Sequence, residues 1–274
     1  MQADEPQTIR WWPDKGQFGG AGGANVIERG SVSAESAAAA HRKWWDENAS
    51  SYLAEHGETL AGRLQWGPEG VTEAELGLMG ALSGKTILEV GSGAGQCSQW
   101  LRSQGAEPIT SDISLEMLKS GDPSLLKVQA DGYLLPFADQ SFDITFSSYG
   151  ALPFLPNAPD VLREWARVTR DRVIFSVTHP LRWALLDDPQ DLTISRSYFD
   201  RSTYIERNEQ NAVTYTEHHR TIGDWVSAIV GAGLSLKKIV EPEWPESNTE
   251  TWGAWSPTRG KLIPGTAIFV AKVK

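Results

Sequence analysis

Three carboxylates and one cluster of glycines stand out in this 274-residue sequence as residues whose type and spacing could do chemistry. Glu89 stands two positions before Gly91 in the run Gly91-Ser92-Gly93-Ala94-Gly95-Gln96. Glycines carry no Cβ, so the chain can turn tightly there and bring its backbone against a ligand. The loop is not built for phosphate. The last position of a G-x-G-x-x-G fingerprint is Gln96, and no G-K-[ST] ending follows. Glu89 would repel a pyrophosphate and suits a ligand that carries positive charge. Asp112 lies 21 residues beyond Gly91, where a carboxylate can accept hydrogen bonds from both ribose hydroxyls of a nucleoside. Dinucleotide enzymes use the same device, so Asp112 indicates a nucleoside without naming it. Asp131, one segment later, completes the set.

The elements that must gather these residues are legible in the pattern. Ile87-Leu88-Glu89-Val90 reads as a strand, and Cys97, Trp100 and Leu101 at i, i+3 and i+4 open a helix after the glycine turn. Residues 108–112, 125–130, 144–148 and 173–177 supply four more strands, with helices over 114–120 and 159–170 among them. Such alternation predicts one doubly wound α/β domain whose ligand crevice lies outside the carboxyl ends of the strands. Tyr149 follows the fourth of these strands and His179 the fifth, so both are expected at the crevice, His179 as a candidate general base.

Residues 181 to about 220 break the rhythm. Two short strands, 197–200 and 213–216, are expected about a polar turn at 208–211, forming a β-hairpin lid over the crevice. His218 and His219 leave that lid toward the site, at a spacing that suits no metal. Helices are expected at 37–56 and 72–82 ahead of the sheet and from Thr221 to Gly231 after the lid, and strands at 234–242 and 266–273 close the chain. Between those strands lies a loop holding Trp244, Trp252 and Trp255, which either packs on the lid or lines an apolar pocket. Residues 1–38 read as a flexible extension. Residues 39–274 read as a single domain, with the ligand-binding half at 83–180 and the insertion at about 181–220.

The E-x-G-x-G-x-G pattern at Glu89–Gly95 resembles the first motif of the class I S-adenosylmethionine-dependent methyltransferases, whose ligand carries an ammonium and a sulfonium and no phosphate. Asp131, then Leu135-Pro136-Phe137, then Ser141-Phe142-Asp143 is similar to the bacterial type 11 group, which includes quinone-biosynthesis C-methyltransferases. The resemblance implies a Rossmann-like seven-stranded sheet with its last strand antiparallel. It also implies S-adenosylmethionine as cofactor, S-adenosylhomocysteine as product and methylation of a small molecule. Asp131 would meet the adenine amino group and the Gly132 N–H a ring nitrogen. The cofactor set would take Glu89, Gly91, Ser92, Gly93, Gly95 and Gln96 from the first turn, Asp112, Ile113 and Met117 from the second, and Ala130, Asp131 and Gly132 from the third, with Ser147 and Tyr52 closing it. Tyr149, His179 and His218 are the catalytic candidates, the histidines as bases for a hydroxyl or an acidic carbon. Ser147-Ser148-Tyr149-Gly150 lacks the N/D-P-P-Y/F motif of enzymes that methylate base amines. Two rival readings are an NAD-dependent oxidoreductase and a non-catalytic module that binds the same cofactor.

Bulk properties narrow the partners. A formal net charge of −10 without a Lys/Arg-rich run argues against nucleic acid. The single cysteine, Cys97, fits a reducing cytoplasm. No secretory signal is expected, nor any membrane span, which needs about 20 apolar residues. Tryptophan is abundant, with twelve; packing accounts for most of them, and a cluster near a pocket mouth could also bind an aromatic or apolar acceptor. A monomer or homodimer is expected.

Overall fold

The computed structural model describes residues 26–274. In chain order the elements are β1 (Val26–Gly30), α1 (Ala34–Leu60), α2 (Glu73–Leu76), β2 (Thr86–Val90), α3 (Gln96–Ser103), β3 (Glu107–Asp112), α4 (Leu115–Ser120), β4 (Leu126–Gln129), β5 (Phe142–Ser148), α5 (Ala158–Val168), β6 (Thr169–Thr178), β7 (Thr203–Arg207), β8 (Val213–Glu217), α6 (Ile222–Gly231), β9 (Ser235–Val240), α7 (Pro257–Gly260) and β10 (Thr266–Lys272).

Seven strands form one sheet in the order β4-β3-β2-β5-β6-β10-β9. The first five in that order run parallel, and β10 lies antiparallel to both its neighbours. This is the expected α/β arrangement with the last strand reversed. Side chains alternate across the pleat. Ile87, Ile144, Phe146 and Ile174 enter a core with Leu64, Trp66, Met79 and Leu101. Leu88, Val90, Val173 and Phe175 enter the opposite core with Val161, Leu162 and Trp165 of α5 and Trp225 and Ile229 of α6. Burial on both faces explains why Val173–Val177 of β6 reads as a nearly unbroken apolar run. The chain turns back between β2 and β5, so the crevice opens at their carboxyl ends.

A second, three-stranded sheet, β1-β7-β8, roofs that crevice. The lid is therefore present, but its first strand is 203–207 and not 197–200. Residues 197–200 make turns, with Asp200 N bonded to Ser197 O and Ser202 N to the Asp200 carboxylate. Its third strand, β1, comes from the stretch read as irregular: Val26–Gly30 pairs antiparallel with β7 along its whole length. A strand whose hydrogen bonds go entirely to a distant segment leaves little trace in its own sequence. The flexible stretch expected at 16–24 lies outside the described residues. The helix expected at 72–82 is the single turn α2, because Gly77 adopts a left-handed φ of 58° and ends it; Met79 packs in the core beyond. Among the described residues no helix is long and apolar enough to cross a membrane.

The long helix α1 locks the roof to the sheet. His41 Nε2 lies 3.0 Å from Thr216 Oγ1 on β8. On the next turns, Asp46 Oδ1 accepts from Ser114 Oγ (2.6 Å) and Glu116 N (3.1 Å) at the start of α4. A carboxylate at a helix N-terminus is favoured by the exposed N–H groups there. Asp46→Ala should lower stability by about 1–2 kcal/mol and release α1 first. Amide exchange should quicken across residues 34–60 with the β6 amides unchanged; equal protection of α1 in both proteins would refute the tie.

Candidate functional site

The carboxyl ends of β2, β3, β5 and β6 open into one cavity of about 1550 Å³. Small-molecule pockets run to roughly 300–1,000 Å³, so this one has room for more than one such molecule. Its floor is the glycine turn. Gly91 leaves β2 at φ 69°, and a Cβ there would stand 2.6 Å from Ala151 N, so only glycine fits. Gly91 N and Ser92 N both donate to Ser111 O, which fastens the turn to the end of β3.

The carboxylates converge on this floor. Asp112, 9% exposed, accepts from Gly93 N at Oδ2 and from Ser114 N at Oδ1, each at 2.8 Å. Burial pushes its pKa up to about 6, against the pull of those backbone N–H groups. Glu89, 3% exposed, accepts at Oε2 from Ser98 N (3.1 Å) and Ser98 Oγ (2.5 Å) in the first turn of α3. Burial pushes it up to about 7; the Ser98 bonds oppose the shift and the Asp112 charge adds to it. Both carboxyls are thus strained toward neutrality, and a bound cation would relieve that strain. Asp131 Oδ1 accepts from Tyr133 N (3.0 Å), and Gly132 O accepts from Trp165 Nε1 (3.1 Å), so this corner is held by α5 from beneath.

The structure gathers most of the residues singled out by the sequence, but not all. Tyr52, Glu89, Gly91, Ser92, Gly93, Gln96, Asp112, Ile113, Met117, Ala130, Asp131, Gly132 and Tyr149 line the cavity. Gly95 caps α3 below it at φ 80° and does not reach the surface. Ser147 is 1% exposed and points the other way; strand alternation brings Ser148 to the cavity in its place, its hydroxyl bonded to Gln65 O. Tyr149 holds a left-handed φ of 56°, rare for a side chain of its size. Its hydroxyl accepts from Thr178 Oγ1 at 2.8 Å, and burial raises its pKa, so it is a neutral phenol.

Neither candidate histidine, His179 or His218, lines the cavity. His179 Nε2 lies 2.9 Å from Glu241 Oε1, while Nδ1 accepts from Leu181 N (3.3 Å) and caps the turn that carries Arg182 and Trp183 inward. His218 Nδ1 lies 3.0 Å from Thr203 Oγ1, and His219 Nε2 2.6 Å from Tyr198 O. Burial lowers the pKa of all three. For His218 the reason is parity: on β8, Tyr215 and Glu217 face the cavity, so His218 falls on the other side. The sequence pointed to a lid here but not to the side chains that the roof turns to the cavity. Tyr204, Glu206, Tyr215 and Glu217 come from the lid, Arg182 and Asp187 from beyond β6, and Trp44 and Trp45 from α1. A signal existed, in the twice-repeated Tyr-x-Glu of Tyr204-Ile205-Glu206 and Tyr215-Thr216-Glu217. In the final loop Trp252 and Trp255 line the cavity, while Trp244 is buried with its Nε1 bonded to Asn248 O.

Residues 88–177 match the profile of a family described as the methyltransferase domain. A demethylmenaquinone methyltransferase of Corynebacterium urealyticum is 40% identical over 91 residues, which cover 32% of this chain and 38% of that one. The chain thus spans less than half the length of such curated relatives. Among solved structures, an S-adenosylmethionine-dependent methyltransferase from Mesorhizobium loti has the same fold, with a TM-score of 0.56, 20% identity and coverage of 75% of this chain and all of that one. The 1,6-didemethyltoxoflavin-N1-methyltransferase of Burkholderia thailandensis also has a TM-score of 0.56, at 15% identity over 93% and 96% of the two chains. The type 11 resemblance read from the motifs is borne out by the family match.

The two raised carboxyls make stability depend on pH. Each holds its proton more tightly folded than unfolded, so its contribution is full below its unfolded pKa near 4 and is lost as pH rises through 6 and 7. Glu89→Gln should remove its share, roughly 3 kcal/mol across pH 4 to 8. Buried His41 and His218, lowered to about 4 and about 3, act in the opposite sense but equally in both proteins. The difference in unfolding free energy, wild type minus variant, should therefore fall across that range in denaturant titrations. A flat difference would reject the buried-carboxyl assignment.

Proposed function

We propose that this chain, whose residues 88–177 form a methyltransferase domain of the class I, type 11 kind, transfers a methyl group from S-adenosylmethionine to a small-molecule acceptor and leaves S-adenosylhomocysteine. The observation that carries this reading is the meeting of Glu89, Asp112, Asp131 and the Gly91 turn on one wall of a single cavity. When bound, the cofactor supplies an electrophilic methyl group on a cationic sulfur. Asp112, already held at both oxygens by backbone N–H groups, takes the ribose hydroxyls. Asp131 and the Gly132 backbone read the adenine edge. Glu89 lies beneath the charged methionine end, with Tyr52 and Met117 at the rim.

Displacement at a sulfonium needs alignment and dryness more than acid catalysis, since the leaving sulfur takes no proton. The roof of α1 and the lid supplies both, and a cavity larger than one ligand leaves the space beneath the lid for the acceptor. Trp44, Trp45 and Phe154 line that space, which favours an aromatic or apolar acceptor. The reading treats residues 39–274 as one domain, monomeric or homodimeric, working in the cytoplasm.

Calorimetry with S-adenosylhomocysteine tests it directly; binding of NADH without binding of S-adenosylhomocysteine would overturn it. Asp112→Ala should weaken S-adenosylhomocysteine by about 1–3 kcal/mol, the worth of hydrogen bonds to a charged acceptor. Unchanged affinity would reject the ribose role. Because Asp112 and Glu89 are raised to about 6 and about 7, Glu89 must lose its proton to meet a cation and Asp112 must lose its proton to accept from both ribose hydroxyls. S-adenosylmethionine affinity should then rise between pH 5.5 and 7.5 with net proton release, read from calorimetry in buffers of differing ionisation enthalpy.

A further inference from the structure

The lid turns a patterned face to the cavity. Pairing of β7 with β8 sets Tyr204 opposite Glu217 and Glu206 opposite Tyr215. Along each strand a tyrosine donates to the glutamate two residues on: Tyr204 Oη to Glu206 Oε1 at 2.8 Å, and Tyr215 Oη to Glu217 Oε1. All four side chains line the cavity, and their strand neighbours Thr203, Ile205 and Thr216 are buried on the other face. This checkerboard is separate from the carboxylates assigned to the cofactor.

Glu217 is the member best placed for chemistry. Arg182 and Asp187, which form an ion pair with each other, approach it from the turn after β6. From below, Tyr149 at the carboxyl end of β5 feels its charge across the cavity. Trp44 and Phe154 stand 5.6 and 5.9 Å from the Tyr215 ring, which gives the same space aromatic walls. Among the other groups that line the cavity, Asp187 is paired with Arg182, Glu206 accepts from Tyr204, Asp131 accepts from Tyr133 N, Glu47 faces Lys43 on α1, and Glu89 and Asp112 are held at the floor, while burial lowers the His41 pKa to about 4.

We propose that Glu217 is the catalytic base of this site, and that the acceptor is a flat aromatic ring whose O–H or N–H is held against its carboxylate beneath the lid. The inference rests on the methyl-transfer reading. In the step assigned to Glu217, the acceptor's O–H or N–H bond breaks, its proton goes to a carboxylate oxygen, and the electron pair stays on the heteroatom, which becomes the nucleophile. Electrostatics favours that transfer. Burial raises the Glu217 pKa, and Asp187 and Glu206 raise it further, while Arg182 and the Tyr215 hydroxyl hold it down. Tyr204 opposite and Tyr149 below are neutral phenols whose own pKa values burial raises. A carboxylate made more basic in this way is a better proton acceptor than one in water.

The probes are hydroxycoumarins, hydroxyquinolines, dihydroxynaphthalenes and N–H pteridines, each with its O- or N-methylated counterpart. The protein loaded with S-adenosylhomocysteine should bind protic members at least tenfold more tightly than their methylated counterparts, and Glu217→Gln should erase that preference while binding S-adenosylhomocysteine within threefold of wild type. Transfer from methyl-labelled S-adenosylmethionine should fall at least 100-fold in Glu217→Gln. Tyr215→Phe removes the bond that holds the Glu217 pKa down, so the ascending limb of its pH–rate profile should move to higher pH, which loss of packing alone would not do. The proposal is overturned if Glu217→Gln transfers methyl groups within tenfold of wild type, if Tyr215→Phe leaves the limb in place, or if loaded wild type binds no protic member preferentially. Failure of wild type to bind S-adenosylhomocysteine would bring down the methyl-transfer reading itself, and shows before any probe is added.

Discussion

The constraint on which this structure depends is the cost of holding two carboxylates out of water. Glu89 and Asp112 lie in the floor of the cavity with little exposed surface, and each is pushed toward its neutral form by burial. An isolated buried charge of that kind is strongly unfavourable. The fold meets the cost with backbone N–H groups: Gly93 and Ser114 for Asp112, Ser98 at the head of α3 for Glu89. Those donors exist only because the chain bends at Gly91 and Gly93 and starts helices immediately after β2 and β3. The glycines, the carboxylates and the parallel strands are therefore one device, and a change in any of them is felt by the others.

The roof answers a different demand. Parallel strands with a shared carboxyl rim leave an open crevice, which must be closed for a reaction that water would compromise. The closure is assembled from segments far apart in the chain. α1 reaches α4 through Asp46 and β8 through His41, and β1 adds a strand to the edge of β7. These ties are a backbone ladder between β1 and β7, two side-chain hydrogen-bonded points, and aromatic contacts of His41, Trp44 and Phe154 with Tyr215.

How much of this could be read in advance follows the same division. The strand, turn and helix around Glu89–Gly95 form from contiguous residues, and Asp112 and Asp131 each stand at the end of a strand that its own apolar run marks, so the motif and both carboxylates were legible. Strand parity was not. Both Glu217 and His218 lie at the exit of β8, and chemistry alone favours the histidine as a base. The alternation of Tyr215 and Glu217 toward the cavity decides for the carboxylate. Ser147 and Ser148 were exchanged for the same reason. Asp46 and β1 carry no local signature, since their partners lie about 70 and about 180 positions away.

This division also bears on what similarity can say about the acceptor. The family match ends at residue 177, at the last residues of β6. It includes the strands and turns of the floor and much of their supporting core, and of the acceptor space it includes Phe154. Arg182, Asp187, Tyr204, Glu206, Tyr215 and Glu217 all lie beyond it, and Trp44 and Trp45 lie before it. A shared floor fixes what all such domains hold in common, whereas the roof is free to differ with each acceptor. The relatives' own acceptors are accordingly weak guides for this chain. Its Tyr–Glu checkerboard, a polar face set among tryptophans, is the more direct statement of what it has to recognise.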